Sequence, residues 1–242
     1  MADAMNKFDV TILHFLNQFS RLSPTFDSLV VLIAKNDLLR GGVIVVLFWW
    51  AWANSRNESE ENRVYLLYGL AATLFSTFFA RGLAVVLPYR DRPLRNPSLN
   101  FKLPLGMNQD ALAGWSSFPS DHAALFVCLS VAIWLASKRV GAIALGYTFF
   151  FILLPRLYLG IHYPTDILVG ALLGIGVAST AKITWLRKTV TGPGLCWLEM
   201  HPASFYSVLF LCTFSIVESF ASLRELSEFG VERVYAALHS VL

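Results

Sequence analysis

The chain has 242 residues, of which 56% are hydrophobic and only 14% are charged, and its formal net charge is +3. With a mean hydropathy of +0.57, this composition excludes an ordinary soluble domain, and the scattered positive charge excludes the broad basic surface that nucleic acids require. Because the charged residues cluster between long apolar runs, we predict a single polytopic, all-α membrane domain over residues 1–242.

The first 37 residues contain two short apolar segments that we interpret as interfacial or partly spanning. Residues 8–20 place aromatic and aliphatic side chains at helical intervals among polar ones, a pattern typical of an amphipathic helix on the membrane surface. Ser23 and Pro24 end this segment, and a second run at 26–34 stops at Lys35. We identify no cleavable signal peptide here, so the internal spans are expected to direct insertion.

Six longer apolar runs follow, and each approaches or reaches the roughly 20 residues that a spanning helix needs. They cover residues 38–53, 64–88, 119–137, 140–160, 166–186 and 204–223. We therefore predict a bundle of about six transmembrane helices over residues 38–223, followed by a mixed-charge tail at 224–242. In the fifth run, Gly170 and Gly174 form a GxxxG pattern, which favours close packing against another helix.

Positive residues in the short loops between alternate runs indicate which end of the bundle is cytoplasmic, because Lys and Arg are retained on that side. These residues are Arg56, Arg63, Lys138, Arg139, Lys182, Arg187 and Lys188. The polar segment 89–118 and the turn 160–165 then share the outward end. A polar segment of that length is usually functional or disordered, and we place the candidate site at this outward end.

Three polar clusters lie at the ends of runs on this outward side, and together they contain the groups that phosphoryl transfer needs. They are Arg90-Asp91-Arg92-Pro93, Pro119-Ser120-Asp121-His122, and Arg156 with His162 and Asp166. Phosphate chemistry requires fixed positive charge around the equatorial oxygens, an in-line nucleophile and an acid for the leaving oxygen. We expect the clusters to meet in one cavity when the helices form a bundle.

Arginine provides a permanently charged planar fork, so Arg92 and Arg156, each beside a span boundary, are the best candidates to clamp a phosphate. Both could instead anchor helix ends at lipid headgroups, and for Arg90 alone that alternative is favoured. Arg81 is an intramembrane cation and hence a further candidate, with pairing to Glu218 as its structural alternative.

Ser120 and Asp121 directly precede an apolar run, a pattern typical of a helix N-cap followed by a first-turn acid. The same position exposes unpaired backbone N–H groups, so Ser120 and the backbone of Asp121 are also candidates for phosphate binding. His122 lies just inside this helix and could donate a proton to the departing oxygen. The Asp121 carboxylate receives no catalytic role, because it would repel an anionic substrate.

His162 precedes Pro164, which would occupy the first turn of the next helix and hold the histidine at the helix mouth. Asp166 could accept the imidazole N–H and fix the tautomer, so that the other nitrogen attacks phosphorus. A first-turn acid is the structural alternative for Asp166. The sequence contains no HExxH, paired CxxC or GxSxG motif, so we expect no metal, no other cofactor and no acyl-transfer role for Ser120.

The three clusters resemble the signature of the type 2 phosphatidic acid phosphatase family, which is related to the vanadium haloperoxidases. That signature is a basic residue before Arg-Pro, then Pro-Ser-Gly-His, then Ser-Arg-x5-His-x3-Asp, and the match runs from about Arg81 to Asp166. The resemblance implies that His162 forms a phosphohistidine, that Asp166 orients it and that His122 protonates the leaving group. It also implies that the phosphate is held by Arg92, Arg156 and Ser120.

Departures from the signature bear on the substrate. Pro155 replaces the serine before Arg156, and Val85 stands where the family has lysine, so that Arg81 or Arg90 would substitute. Asp121 replaces glycine, as in a bacterial subset that resembles undecaprenyl diphosphate phosphatases. This variant and the outward position of the site together favour a polyprenyl diphosphate as the substrate. The basic loops and this resemblance predict a bacterial inner membrane with the active site on the periplasmic side.

The sequence leaves other lipid substrates and another functional class open. Phosphatidylglycerol phosphate, phosphatidic acid and a lipopolysaccharide phosphate are alternative substrates. A vanadate-dependent peroxidase is disfavoured because those relatives are soluble. A non-hydrolytic transporter or scaffold is the alternative of another class, and it would distribute charges through the depth of the bilayer. The oligomeric state is not predicted.

Overall fold

The computed structural model describes residues 6–58, 60–110 and 112–220, and within these ranges its regular secondary structure is entirely helical. The α-helices are α1 (Lys7–Asn17), α2 (Pro24–Lys35), α3 (Val43–Glu58), α4 (Glu60–Val86), α5 (Asp121–Ala136), α6 (Lys138–Tyr147), α7 (Leu154–Tyr158), α8 (Pro164–Ser179), α9 (Thr184–Met200) and α10 (Pro202–Val217). The predicted all-α class is confirmed. The predicted tail at 224–242 lies outside the described residues, and the single-domain interpretation stays a prediction.

Among the described residues, four helical stretches are long and apolar enough to cross a membrane. They are Leu38–Ser55, Glu60–Val86, Lys138–Tyr158 and Pro164–Lys182. α5 and α10 correspond to the other two predicted runs but have 16 residues each, fewer than a straight span needs. The apolar helices identify an integral membrane protein, whereas the count of six spans and the surface position of α1 stay predictions.

Helix α9 is a feature that the apolar runs did not predict. Its sequence contains two basic residues and a Gly-Pro-Gly at 192–194, so it lacks the continuous apolar stretch that marks a span. Packing supports it instead. A Cβ on Gly194 would lie 2.9 Å from Leu67 of α4, and the Trp197 ring meets Phe205 of α10 edge-on at 5.6 Å. Tertiary contacts therefore support helix formation where the sequence pattern is weak.

The close approach of α5 and α8 determines where the polar clusters lie. A Cβ on Gly170 would stand 2.3 Å from the Ser120 carbonyl oxygen, and one on Gly174 would stand 2.7 Å from that of Ala124. Because only glycine permits this approach, the packing role predicted for the GxxxG pattern is confirmed. The Ser120 amide N–H also donates to the Asp166 carbonyl oxygen at 3.1 Å. The first turns of α5 and α8 are thus held together at one end of the bundle.

Two buried carboxylates fasten α1 and α2 to this end of the bundle. Asp9 of α1 is 1% exposed and accepts hydrogen bonds from the Thr165 amide N–H at 2.8 Å and from the Thr165 hydroxyl at 2.7 Å. Asp27 of α2 accepts from the Leu105 amide N–H at 2.9 Å and from the Tyr158 hydroxyl. The N-terminal helices therefore pack beside the outward loops, and the end of α2 reaches the candidate site.

Candidate active site

A cavity of about 720 Å³ opens at the end of the bundle where α4 ends and α5 begins. Its walls contain Arg81 together with members of all three polar clusters, namely Arg92, Asp121, His122, Arg156 and His162. Ser120, Asp166 and Arg90 are not part of this wall. Within the described ranges, no group of three or more His, Cys, Asp or Glu side chains is arranged to hold a metal ion. The structure thus brings most of the predicted site residues together.

The imidazole of His162 is held in the tautomer that a nucleophile requires. Its Nδ1 atom lies 2.8 Å from the Ser117 carbonyl oxygen, which can only accept, so Nδ1 carries the proton and Nε2 carries the lone pair. His162 is 3% exposed. Burial lowers the pKa of His162, and the charges of Arg92 and Arg156 lower it further against the opposing effect of Asp166. A neutral imidazole at neutral pH follows.

Asp166 supports this histidine indirectly. Its carboxylate accepts hydrogen bonds from the Tyr163 amide N–H at 2.8 Å, from the Ser117 hydroxyl and from Arg90. The distance to His162 Nδ1 is 3.8 Å. The sequence predicts that Asp166 itself accepts the imidazole N–H, but in the structure the Ser117 carbonyl oxygen lies at hydrogen-bond distance from His162 Nδ1. Asp166 instead holds Ser117 in place, and it also serves as the first-turn acid of α8.

Arg90 lies away from the cavity and joins three parts of the chain. Its Nη2 atom donates to Asp9 at 2.8 Å, and its Nη1 atom donates to Asp166 and, at 2.9 Å, to the Thr165 hydroxyl. The guanidinium also stacks 3.9 Å from the centre of the Tyr163 ring. Burial alone would lower the pKa of Arg90, but the two carboxylates raise it. Both terminal nitrogens of Arg90 already donate hydrogen bonds to protein groups. Arg90, a candidate for phosphate binding from its sequence, therefore links parts of the fold in this structure.

Arg92 and Arg156 each place a buried guanidinium at the cavity with unused hydrogen-bond donors. Arg92 donates to the carbonyl oxygens of Ile161 at 2.8 Å and Ser116 at 3.4 Å, and its buried Nε has no partner in the described structure. Burial lowers the pKa of Arg92, although a guanidinium keeps its charge. Arg156 is 6% exposed and makes no hydrogen bond or ion pair with a described residue. Two positive charges at one cavity would stabilise an anion between these arginines.

His122 is oriented by a carboxylate to which the sequence reasoning gave no catalytic role. His122 Nδ1 lies 2.7 Å from Asp121 Oδ1, and its buried Nε2 has no partner among the described residues. Arg81 holds the other Asp121 oxygen through Nε at 3.1 Å and donates from Nη2 to the Ser219 carbonyl at 3.0 Å. The ion pair with Arg81 offsets the repulsion expected between Asp121 and an anionic substrate. Arg81 thus lines the cavity with Asp121 as its carboxylate partner.

Ser120 occupies the N-cap position that its sequence context predicted. Its hydroxyl accepts a hydrogen bond from the Ala123 amide N–H at 3.4 Å, and the side chain is fully buried behind the cavity wall. The first N–H groups of α5 have no intrahelical acceptor, as at every helix start. Asp121 and His122 carry these groups at the edge of the cavity. The helix start can therefore add backbone donors to the two arginines.

Several supporting residues escaped the sequence reasoning. Ser117 acts through its backbone carbonyl, and Asp9 acts from more than 80 residues upstream of the clusters, so neither leaves a local sequence signal. Lys35 and Arg40 also line the cavity. They flank the start of the first long apolar run, and a cation at such a boundary is a signal that could have identified them.

Comparison with known proteins gives a family and several distant relatives. The sequence profile of the PAP2 superfamily matches residues 64–189 of this chain. The bacitracin transport permease protein BcrC of Bacillus licheniformis is 22% identical over 81% of this chain and 86% of its own length. The putative undecaprenyl-diphosphatase YbjG of Escherichia coli K12 is 26% identical, covering 75% and 84%, respectively. Lipid A 1-diphosphate synthase of the same organism is 26% identical, covering 81% and 77%. No solved structure gave a significant match.

The family match extends over more than half of the chain and includes all three polar clusters. It contains the helices that position His122 and His162, together with both arginines that have unused donors at the cavity. The family resemblance seen in the motifs is therefore confirmed, and so is the prediction of an enzyme. This chain belongs to the PAP2 superfamily and is a membrane-embedded lipid phosphatase.

Proposed function

We propose that this phosphatase hydrolyses a polyprenyl diphosphate, such as undecaprenyl diphosphate, through a phosphohistidine intermediate on His162. The observation that carries the proposal is the cavity that His162, with its proton on Nδ1, lines together with two buried arginines, Arg92 and Arg156. The name of one relative supports the substrate class, because that protein is a putative undecaprenyl-diphosphatase.

The first step transfers the terminal phosphoryl group to the enzyme. The lone pair on His162 Nε2 forms a bond to phosphorus while the bond from phosphorus to the bridging oxygen breaks. Arg92, Arg156 and the first N–H groups of α5 stabilise the equatorial oxygens. Protonated His122 donates its Nε2 proton to the bridging oxygen, and the lipid monophosphate departs. The Ser117 carbonyl stabilises the positive charge that develops on the attacking imidazole.

The second step releases inorganic phosphate. His122, now neutral, accepts a proton from a water molecule whose oxygen attacks the phosphorus of the phosphohistidine. The nitrogen–phosphorus bond breaks, the electron pair returns to His162 Nε2, and His122 is protonated again. We assign Asp121 as a positioning residue for His122, since its carboxylate stabilises the protonated ring at 2.7 Å.

The lipid tail is proposed to leave the cavity along the end of α4. Ala84, Val85 and Leu87 line the same cavity as the arginines, and Val85 is 81% exposed. This apolar wall suits a prenyl chain that stays in the bilayer while its diphosphate enters the polar end. Val85 stands where the family has lysine, and a valine there is compatible with contact to the lipid tail.

We further propose six spans, an interfacial α1 and a periplasmic site in a bacterial inner membrane. At 1.5 Å per residue, α5 and α10 measure about 24 Å, so they would cross a hydrocarbon core of about 30 Å with help from adjoining residues or local thinning. The basic loops support this orientation. Arg187 pairs with Glu61 at 3.2 Å at the end of the bundle opposite the cavity, as the predicted cytoplasmic end requires.

Phosphate release by the purified protein in detergent tests the function. The substrates are a polyprenyl diphosphate, phosphatidic acid and phosphatidylglycerol phosphate, each with EDTA present, and the variant is His162→Ala. We expect EDTA-resistant release, fastest from the diphosphate, and a loss of at least about 1000-fold in the variant. His14→Ala is the matched control, because His14 is exposed on α1 and lies outside the cavity.

The outcomes separate the alternatives. Fastest release from phosphatidic acid or phosphatidylglycerol phosphate would replace the proposed substrate but keep the mechanism. Release that survives His162→Ala would refute the phosphohistidine. No release from any lipid by folded protein would favour a non-hydrolytic transporter or scaffold.

A further inference from the structure

The cavity contains more positive charge than one phosphate group uses. Among the described residues, five cationic side chains line it, compared with two carboxylates, Asp121 and Glu218. Arg92 and Arg156 are assigned to the reacting phosphate, and Arg81 is paired with Asp121, a carboxylate that itself lines the cavity. Arg40 is paired with Asp37, which does not line the cavity. Two lining cations therefore have no role in the proposed reaction, namely Lys35 and Arg40.

Arg40 is held rigidly at the cavity. It lies in the π-helical turn Leu38–Gly42 that precedes α3, and its amide N–H donates to the Asn36 carbonyl at 2.8 Å. The next residue, Gly41, packs so closely on α10 that a Cβ there would stand 2.8 Å from the Val217 carbonyl oxygen. The Arg40 side chain is 16% exposed. The backbone that carries Arg40 is therefore held by packing at the cavity wall.

The guanidinium of Arg40 has an unsatisfied donor. Its Nη2 atom pairs with Asp37, whereas its buried Nε has no hydrogen-bond partner in the described part of the chain. A buried N–H of this kind is unfavourable unless an acceptor from outside the protein meets it. Arg40 also lines the cavity, so the charge of its guanidinium can attract a phosphate there, and Lys35 at the end of α2 adds a second positive charge to the same cavity.

The position of Arg40 relates to the leaving group of the reaction. Arg40 lines the same cavity as His122 and Arg156, and His122 is the proposed donor to the leaving oxygen. An alcohol that leaves is neutral after it accepts this proton, so it needs no additional cation. A phosphate that leaves keeps negative charge, which cations beside His122 would stabilise.

We infer that Arg40 and Lys35 form a second anion subsite, which binds the inner phosphate of a lipid diphosphate. This inference rests on the proposed function and specifies its substrate class. On this inference, the enzyme's preference for diphosphates over monophosphates depends on the turn Leu38–Gly42, which lies more than 40 residues before the cluster that begins at Arg90. The outer phosphate occupies the site between Arg92 and Arg156, and the inner phosphate occupies the Arg40 side of His122.

The test compares prenyl diphosphate and prenyl monophosphate of the same chain length, hydrolysed by the full-length protein in detergent. For Arg40→Gln, we expect kcat/KM to fall roughly 10- to 100-fold on the diphosphate, because a hydrogen bond to a charged group is lost. On the monophosphate we expect a change of less than about 2-fold, since the outer-phosphate site is intact. Arg40→Lys should lose less than Arg40→Gln. Arg139→Gln is the matched control, because Arg139 is exposed at the opposite end of the bundle.

A binding measurement keeps the test independent of turnover. Methylenediphosphonate should inhibit the wild type more strongly than inorganic phosphate does, and Arg40→Gln should remove that difference. Equal losses on both prenyl substrates, or none on either, would overturn the subsite while wild-type hydrolysis leaves the proposed function intact. If the wild type hydrolyses neither substrate, the proposed function fails first. If Arg40→Gln does not fold, Lys35→Gln decides the question in the same assays, because Lys35 belongs to the same subsite. It should lose activity selectively on the diphosphate, and equal losses on both substrates or none would overturn the subsite.

Discussion

Replacing Asp121 by Asn tests whether its carboxylate supports proton donation by His122. Asp121 Oδ1 lies 2.7 Å from His122 Nδ1, and Arg81 holds the other carboxylate oxygen at 3.1 Å. An amide of the same shape keeps an acceptor for Nδ1 but removes the negative charge that stabilises the protonated ring. A hydrogen bond to a charged group contributes about 1.5–3 kcal/mol, so kcat should fall roughly 10- to 150-fold where the leaving oxygen needs a proton.

The assay varies the leaving group. A short-chain alkyl phosphate departs as a strongly basic alkoxide and needs the proton, whereas p-nitrophenyl phosphate departs as a weak base and needs it little. We expect Asp121→Asn to give the full loss on the alkyl phosphate, a smaller loss on a diphosphate and less than about a 2-fold loss on p-nitrophenyl phosphate. KM should not rise, because a negative charge beside the anion site is removed. Asp110→Asn, an exposed carboxylate in the outward loop, is the control.

Two results would refute this reasoning. An equal loss of kcat on all leaving groups would mean that Asp121 supports the fold or the attack step. A higher KM with unchanged kcat would mean that Asp121 only shapes the binding site. His122→Ala should reproduce the dependence on leaving group, and the double variant should lose little more than His122→Ala alone, because the two residues act as one unit.

Three further predictions test the nucleophile, the packing and the roles of two arginines. Burial lowers the pKa of His162, and only its neutral form attacks. The fall of kcat/KM at acidic pH should therefore have its midpoint below about pH 6.5 after correction for substrate ionisation. A midpoint above neutral pH would contradict this. Gly170→Ala should lower both Tm and kcat, because the new Cβ would stand 2.3 Å from a backbone carbonyl of α5, whereas Gly176→Ala, with open space around it, should change neither; equal effects would contradict the packing argument. Arg90→Gln should destabilise the fold by about 3–5 kcal/mol with little change in KM, as expected when buried carboxylates lose their partner. Arg156→Gln should instead raise KM and lower kcat at near-normal Tm. Denaturation and kinetic assays would contradict this assignment if Arg156→Gln mainly destabilised the fold and Arg90→Gln mainly raised KM.

Some features of this protein follow from the sequence alone because they depend on residues close together in the chain. The six apolar runs predicted helices at 38–53, 64–88, 119–137, 140–160, 166–186 and 204–223, and a helix lies at each of these positions in the described residues. The Pro-Ser-Asp-His stretch predicted a helix start, and Ser120 caps α5 there. Local propensity and burial in lipid act over single helices, so a linear pattern carries this information.

Other features required the tertiary structure because they join residues far apart in the chain. Arg90 and Arg92 are two residues apart and chemically identical, yet Arg90 pairs with Asp9 and Asp166 while Arg92 lines the cavity. No local pattern distinguishes them. The partner of His162 is the Ser117 backbone carbonyl, a group that every residue type carries. Helix α9 forms despite a weak pattern because it packs on α4 and α10.

The sequence by itself therefore determined the fold class, the family and the end of the bundle that carries the chemistry. Only the tertiary structure decided which cations reach the cavity, which group fixes the His162 tautomer and why Asp121 is tolerated beside an anion site. The reason is that ion pairs and hydrogen bonds depend on distances of about 3 Å. Such distances between Arg81 and Asp121, or between His162 and Ser117, exist only after α4, α5 and α8 have packed together.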